Sequence, residues 1–236
     1  MKRFFISNIV LPIHTLYDEE HRHIMVCRLK KGDKVVLCTG DGIDHIGTIE
    51  TISKSETTIA IKQSTQNDTE SSISIDLFFA PLTPNNTELV IIKCTEVGVS
   101  GFFPTTTEYT QGSAAKLRYD RLTKLVLEAA KQCGRAKLPS INPLIKFDDA
   151  LKIASKYDMA ILCYESEPQA TISNLLKNGQ SLNAKIALFI GPEGGYHHNE
   201  IARAKKAGVH IVTLGKRILR AETASIVASA LVTNNE

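Results

Sequence analysis

Residues 184–232 read AKIALFIGPEGGYHHNEIARAKKAGVHIVTLGKRILRAETASIVASALV. An apolar run, Ile186 to Ile190, stops at the turn Gly191-Pro192-Glu193-Gly194-Gly195. A charged helical segment follows, then a second apolar run, Val209 to Leu214, which stops at Gly215. After a short basic loop the stretch closes on a segment made almost wholly of small and apolar residues. Two buried strands thus each deliver a glycine-bearing loop. In an open α/β sheet ligands bind just beyond the carboxyl ends of the strands, so these two loops are the candidate site.

Working outward, the same alternation of strand and helix extends back to Ile73. Ile75–Ala80 reads as a strand, Thr83–Val99 as a helix, Gly101–Thr105 as a strand and 114–136 as a long helix. A short extended piece lies at Pro139–Pro143. Phe147–Lys156 then reads as a helix, Met159–Cys163 as a strand and 172–178 as a helix. This pattern predicts an α/β domain with a mostly parallel sheet covered on both faces. Residues 1–72 instead read as all-β: Val35–Cys38, Ile46–Ile52 and Thr57–Ile61 are strand candidates, and Asp41-Gly42 suits a tight hairpin. Residues 63–72 are polar and aperiodic, either a hairpin tip or a linker. The expected domains are therefore 1–72 and 73–236.

With 236 residues, 43% hydrophobic and 22% charged, the composition is that of an ordinary globular protein. No stretch reaches the roughly 18 apolar residues of a membrane span, and the N-terminus lacks a secretory signal pattern. The five cysteines are scattered, odd in number and never spaced CxxC. They point to a reducing, cytoplasmic setting without structural zinc. The histidines have no companion ligands, so no metal is expected.

The net charge is only +3, so a nucleic-acid partner has to be argued from placement. Residues 113–137 hold seven basic side chains and two acidic ones. On a helix, Arg118, Arg121, Glu128, Gln132 and Arg135 share a stripe beside the apolar stripe Leu122, Leu125, Val126, Ala129 and Cys133. One reading is a solvated face; the other is a phosphate-binding face, which arginine suits. Arg3, Arg22, Arg28, Lys30, Lys31 and Lys34 could extend it, with the acidic Asp18-Glu19-Glu20 beside them.

The turn 191–195 is neither a P-loop nor a GxGxxG fingerprint. Its glycines allow close approach of backbone to a ligand, and Glu193 could accept hydrogen bonds or a proton. The plain alternative is a strand-to-helix turn that holds nothing. In the second loop, Arg220 and Glu222 straddle the entry to the last helix, where a carboxylate suits the positive helix end. That helix is small or apolar all round, which predicts core plus a subunit interface, or simply a buried terminal helix. His197-His198 opens a helix and suits a cap. Cys94 and Cys163 fall in core elements as small hydrophobes.

Taken together, FIGPEGG (189–195), LGKRILRAETA (214–224), KCTEVGV (93–99) and EAAKQCGR (128–135) followed by Leu138-Pro139 carry a pattern. So do MKRFF (1–5) and HRHIMVCRLKKGD (21–33). Across its whole length the chain resembles the ribosomal small-subunit methyltransferase E family, uridine-N3 methyltransferases of 16S rRNA within the SPOUT superfamily. It departs from that pattern at His21-Arg22-His23, at TTTEYT (105–110) after Pro104, and at Tyr196-His197-His198.

The resemblance implies a PUA-like β-barrel for RNA binding, then a SPOUT domain with a C-terminal trefoil knot. It implies S-adenosylmethionine as cofactor, 16S rRNA or the small subunit as partner, and a homodimer. Backbone of Phe189, Ile190, Gly191, Pro192, Glu193, Gly194 and Gly195, with Leu214, Gly215, Lys216, Arg217, Ile218 and Leu219, would hold the cofactor. Uridine N3 must lose a proton, so a cation and a base are needed. Arg220 is the expected cation; Glu193, Glu128 and Glu222 are the candidate bases. Arg3, Arg28, Lys30, Arg118, Arg121 and Arg135 are the candidates for rRNA phosphates. The alternatives are a non-catalytic RNA-binding assembly protein of the same fold and a SPOUT enzyme for another RNA.

Overall fold

The computed structural model describes residues 1–110, 117–166, 170–177 and 183–234. It divides into two compact units. The first comprises Met1–Glu70 and Ala130–Leu138; the second comprises Ser71–Ala129 and Pro139–Glu236. The contiguous division expected at 72/73 lacks the excursion of 130–138 into the first unit.

The first unit holds β1 (Lys2–Phe5), β2 (Ile13–Leu16), α1 (Asp18–Val26), β3 (Lys34–Cys38), β4 (Ile43–Ile52) and β5 (Thr57–Gln66). Its sheet runs β1-β3-β4-β5-β2, with β1 parallel to β3 and the other pairs antiparallel. Phe4, Leu16, Ile24, Val35, Leu37, Ile49 and Ile59 form its core. The all-β expectation fails at α1. Asp18, Glu19 and Glu20 occupy its first turn, where carboxylates favour the helix N-terminus, while His21 and Ile24 turn inward. The His21 ring is 2.9 Å from the Thr57 hydroxyl. Part of the polar run 63–72 is strand, since β5 continues to Gln66.

The second unit holds β6 (Ser74–Phe79), α2 (Pro84–Glu96), β7 (Gly101–Thr106), most of α3 (Tyr119–Cys133), β8 (Ser140–Ile141), β9 (Ile145–Lys146) and α4 (Phe147–Ala154). There follow β10 (Met159–Cys163), α5 (Ile172–Lys177), β11 (Lys185–Ile190), α6 (His198–Lys206), β12 (His210–Val212) and α7 (Ala221–Thr233). The sheet order is β12-β10-β11-β6-β7-β8, with β9 also on β7 and every pair parallel. Positions 114–116 of the expected long helix and 178 of the later one lie outside the described residues.

Strand periodicity sorts the core onto two faces. Ile75, Leu77, Phe79, Ile186, Leu188 and Ile190 point to the face covered by α2, α3, α5 and α7. Phe78, Ala187 and Phe189 point to the face covered by α4 and α6. On that second face Phe103, Phe78 and Phe189 stack across three adjacent strands, with centroid separations of 4.5 and 4.6 Å. Such pairs contribute about 1 kcal/mol each beyond area burial. This aromatic row fixes the register of β7, β6 and β11, and with it the level at which their carboxyl-end loops emerge.

Candidate active site

Three neighbouring parallel strands, β12, β10 and β11, end at one level, and a cavity of about 440 Å³ lies beyond them. Cys163, Tyr164 and Glu165 come from the end of β10. Ile190, Gly191, Pro192, Glu193, Gly195 and Tyr196 come from the end of β11. Thr213, Leu214, Arg217, Ile218 and Leu219 follow β12, and Arg220, Ala221, Glu222 and Ala224 open α7. Asn86 reaches in from α2.

Each loop is locally built. The Gly195 N–H donates to the Pro192 carbonyl at 2.9 Å, closing a β-turn that ends with Gly195 at φ 70°. Gly191 has no room for a side chain, because a Cβ there would lie 2.9 Å from the buried Tyr196 ring. After β12, Gly215 N–H donates to Thr213 Oγ1 at 3.2 Å, and Gly215 takes φ 121°. The Thr213 N–H donates to the Ala170 carbonyl at 2.7 Å, pinning this loop to the segment after β10.

The polar groups are unequal. Arg220 is the N-cap of α7 but makes no side-chain cap bond. Its side chain is exposed and forms no ion pair among the described residues. Glu222, two residues on, is 8% exposed, and its Oε2 has no hydrogen-bond partner among the described residues. A buried carboxylate oxygen left unpaired is costly, so this atom awaits a donor. Glu193 and Glu165 are exposed at the rim. Burial, and then the neighbouring Cys163, Glu200 and Glu165, raise the Tyr196 phenol well above its usual range. Burial also pushes the Cys163 thiol up to about 12, which keeps it protonated and unreactive.

The residues singled out by sequence fall into distinct places. Ile190, Gly191, Pro192, Glu193, Gly195, Leu214, Arg217, Ile218, Leu219, Arg220 and Glu222 converge on the cavity. Phe189 is not among the lining residues, and its ring is fully buried in the aromatic row. Gly194, Gly215 and Lys216 lie beside the lining without forming it. Glu128 stands exposed on α3 and is not among the cavity-lining residues. The β10 contribution, Tyr164 and Glu165, was missed because that loop carries no glycine. The carboxyl-end rule applied to Met159–Cys163 would have found it. Asn86 had no local signal.

Two of the expected phosphate ligands are already engaged. Arg3 forms a bidentate pair with Asp44, the second bond being 2.9 Å from Nη2 to Oδ2, and also donates to Cys38 Sγ. Arg135 is 4% exposed and donates from Nε and Nη2 to the two Glu70 oxygens at 3.0 and 2.7 Å. Both guanidiniums are internal ties of the first unit. Arg118 and Arg121 share Glu88 at 3.4 and 3.1 Å but stay 72% and 48% exposed, and such surface pairs contribute little. Arg28 and Lys30 are exposed, with no ion pair among the described residues. Among the described residues no group of three or more His, Cys, Asp or Glu is placed to share a metal ion. Nor is any described helix long and apolar enough to cross a membrane.

Comparison with known proteins gives consistent matches. Residues 69–233 match an RNA methyltransferase domain, and residues 16–62 an RNA methyltransferase PUA domain. A ribosomal RNA small subunit methyltransferase E from Synechocystis is 34% identical over 88% of this chain and 68% of its own length. The protein of that name from Bacillus subtilis is 28% identical over 98% and 96%. The crystal structure of the Neisseria gonorrhoeae ribosomal RNA small subunit methyltransferase E bound to S-adenosyl methionine superposes with TM-score 0.86 at 28% identity. It covers 98% of this chain and 95% of that one.

Proposed function

The chain belongs to the ribosomal RNA small subunit methyltransferase E family, and we propose that it uses S-adenosylmethionine to methylate N3 of one uridine in 16S rRNA. The observation that carries this reading is the cavity at the ends of β10, β11 and β12, with Arg220 and the partnerless Glu222 oxygen at the mouth of α7.

The residues present fit the cofactor. Apart from Glu222 and Arg220, two carboxylates (Glu165, Glu193) and the Arg217 guanidinium line the space, which suits a small molecule bearing both cationic groups and a carboxylate. The backbone of Gly191–Gly195 and Leu214–Leu219 offers donors and acceptors for its adenine and ribose, with Ile190, Leu214, Ile218 and Leu219 as apolar walls. When bound, S-adenosylmethionine supplies a methyl group activated for in-line displacement.

The chain's own work is alignment and proton handling. Holding the uracil ring in line with the methyl accounts for a large part of the rate. N3 carries a proton at neutral pH, so a base must accept it and a cation must stabilise the anion left behind. Glu222 is the base in this account: it is buried at the cavity and one oxygen is unused. Glu128 stands away from the lining, and Glu193 is solvated at the rim. Arg220 stabilises the anion, its guanidinium uncommitted to capping or to any described carboxylate.

We read residues 1–72 as the RNA-binding PUA-like part and 73–236 as a SPOUT domain with a C-terminal trefoil knot. In support, β12 lies at the sheet edge beside β10, whereas α7 returns to pack on α2, β6 and β11. Leu231 on α7 and Leu89 on α2, each 38% exposed, favour a homodimer through these helices. Arg28, Lys30, Arg118 and Arg121 are the phosphate ligands. Calorimetry with S-adenosylmethionine tests the whole reading. Binding at micromolar affinity is expected, and no binding would support the non-catalytic RNA-binding alternative.

A further inference from the structure

Beyond the cavity, one buried carboxylate ties together two segments that each present an aromatic ring. Glu200 in α6 is 2% exposed. Its Oε2 accepts the His197 N–H at 2.9 Å and its Oε1 accepts the Glu108 N–H at 3.0 Å. Charge-assisted bonds of this kind are strong and directional, so the residues after β7 are held against the start of α6. The turn 107–110 is also closed on itself, by Thr107 N–H to Thr110 Oγ1 at 2.8 Å and Thr110 N–H to the Thr107 carbonyl at 3.1 Å.

This clamp sets Tyr109 edge-on to His197, with centroids 5.9 Å apart and planes at 73°, and the His198 ring lies 4.0 Å from His197. The His197 ring is fixed as well, because its Nδ1 accepts the Asn199 N–H at 3.3 Å. Tyr109 is nevertheless 46% exposed. It lies against Gly194, where an added Cβ would be 3.1 Å from the tyrosine Cβ. The residues on either side of Gly194, Glu193 and Gly195, line the cavity. A rigid, partly exposed aromatic group therefore adjoins the mouth of the site, on the outer side of the same turn.

We propose that Tyr109, backed by His197 and His198, is a stacking platform for an unpaired nucleobase of the RNA strand, adjacent to the base being methylated. The proposal rests on the methyltransferase reading above. Single-stranded RNA is commonly read by stacking on tyrosine and histidine rings. Such stacking tolerates any base and contributes enough to change affinity severalfold or more. The methylated base must place its own N3 inside the cavity, so the platform serves its neighbour. Tyr109 and His197 are thus positioning residues, and Glu200 acts through them.

The chain contains no tryptophan, so Tyr109→Trp places a single tryptophan at the platform, whose emission can be excited apart from that of the remaining tyrosines. Adding single-stranded oligouridylate in the presence of S-adenosylhomocysteine should quench it, while a duplex of equal length should not. With small ribosomal subunits as substrate, Tyr109→Ala should raise KM roughly 5- to 100-fold. Its kcat and its Kd for S-adenosylmethionine should stay within about twofold, as expected for a residue outside the cavity lining. Tyr109→Phe should restore KM. An unchanged KM in Tyr109→Ala, no rescue by Tyr109→Phe, or an equal loss of cofactor affinity would each overturn the platform. Wild-type protein that neither binds S-adenosylmethionine nor methylates subunits would overturn the underlying reading instead.

Discussion

Arg135 and Glu70 face each other fork to fork, Nε to Oε1 at 3.0 Å and Nη2 to Oε2 at 2.7 Å, with the guanidinium 4% exposed. Removing one partner of such a pair leaves a poorly solvated charge. Arg135→Ala should therefore destabilise the first unit by about 3 kcal/mol, the lower end for buried pairs because Glu70 keeps 17% exposure. Thermal unfolding checks this. The RNA-binding salt slope should stay unchanged in Arg135→Ala, whereas Arg28→Ala and Lys30→Ala should each reduce it by about 0.7.

The Arg3–Asp44 pair predicts a pH effect. Burial alone would raise the Asp44 carboxyl, but hydrogen bonds from Arg3 and Asn67 more than offset it, and Asp44 titrates below its usual 3.8. A depressed carboxylate stabilises the fold fully above its unfolded value and loses that contribution as pH falls through the folded one. Asp44→Asn should therefore be less stable than wild type by about 2 kcal/mol at pH 6. The gap should narrow as pH falls below 3.8. A constant gap in denaturation midpoints between pH 6 and 3 would contradict the assignment.

Gly191→Ala probes the glycine turn. The new Cβ would stand 2.9 Å from Tyr196 Cε2, on a ring only 6% exposed that has little room to move. Overpacking of this kind costs about 1–3 kcal/mol. We expect S-adenosylmethionine affinity to fall at least tenfold, roughly 1.4 kcal/mol, with a lowered Tm. Gly195→Ala meets only the Glu165 carboxylate end at 2.8 Å, and its penalty is mainly the φ of 70°.

Glu222→Gln and Arg220→Ala separate chemistry from binding. Glutamine keeps the shape of Glu222 but cannot take a proton, so kcat should drop about 10²- to 10⁴-fold. Loss of the Arg220 cation should lower kcat about 10²- to 10³-fold. In both variants calorimetry should find near-normal S-adenosylmethionine affinity. Retained turnover in Arg220→Ala would remove its role.

Much of this molecule was legible before its structure. Met159–Cys163 and Ile186–Ile190 are continuous apolar runs because parallel strands are buried on both faces, and that signal is local. The Gly191 and Gly215 turns were legible for the same reason. Helix α1 was not, since only His21 and Ile24 of its nine residues are buried and its pattern is too short to show a period. Arg3 and Arg135 looked like phosphate ligands because their partners lie 41 and 65 residues away, a distance no spacing rule spans. Glu165 belongs to the site through the adjacency of β10 to β11 and β12, which is a property of strand order.

The most direct measurement is nucleoside mass mapping of 16S rRNA. Small subunits from a strain lacking this gene would be incubated with the purified chain and S-adenosylmethionine. One new N3-methyluridine is expected, absent with Glu222→Gln. A methyl group on another base or on another atom of uridine, or none at all, would contradict the N3 assignment.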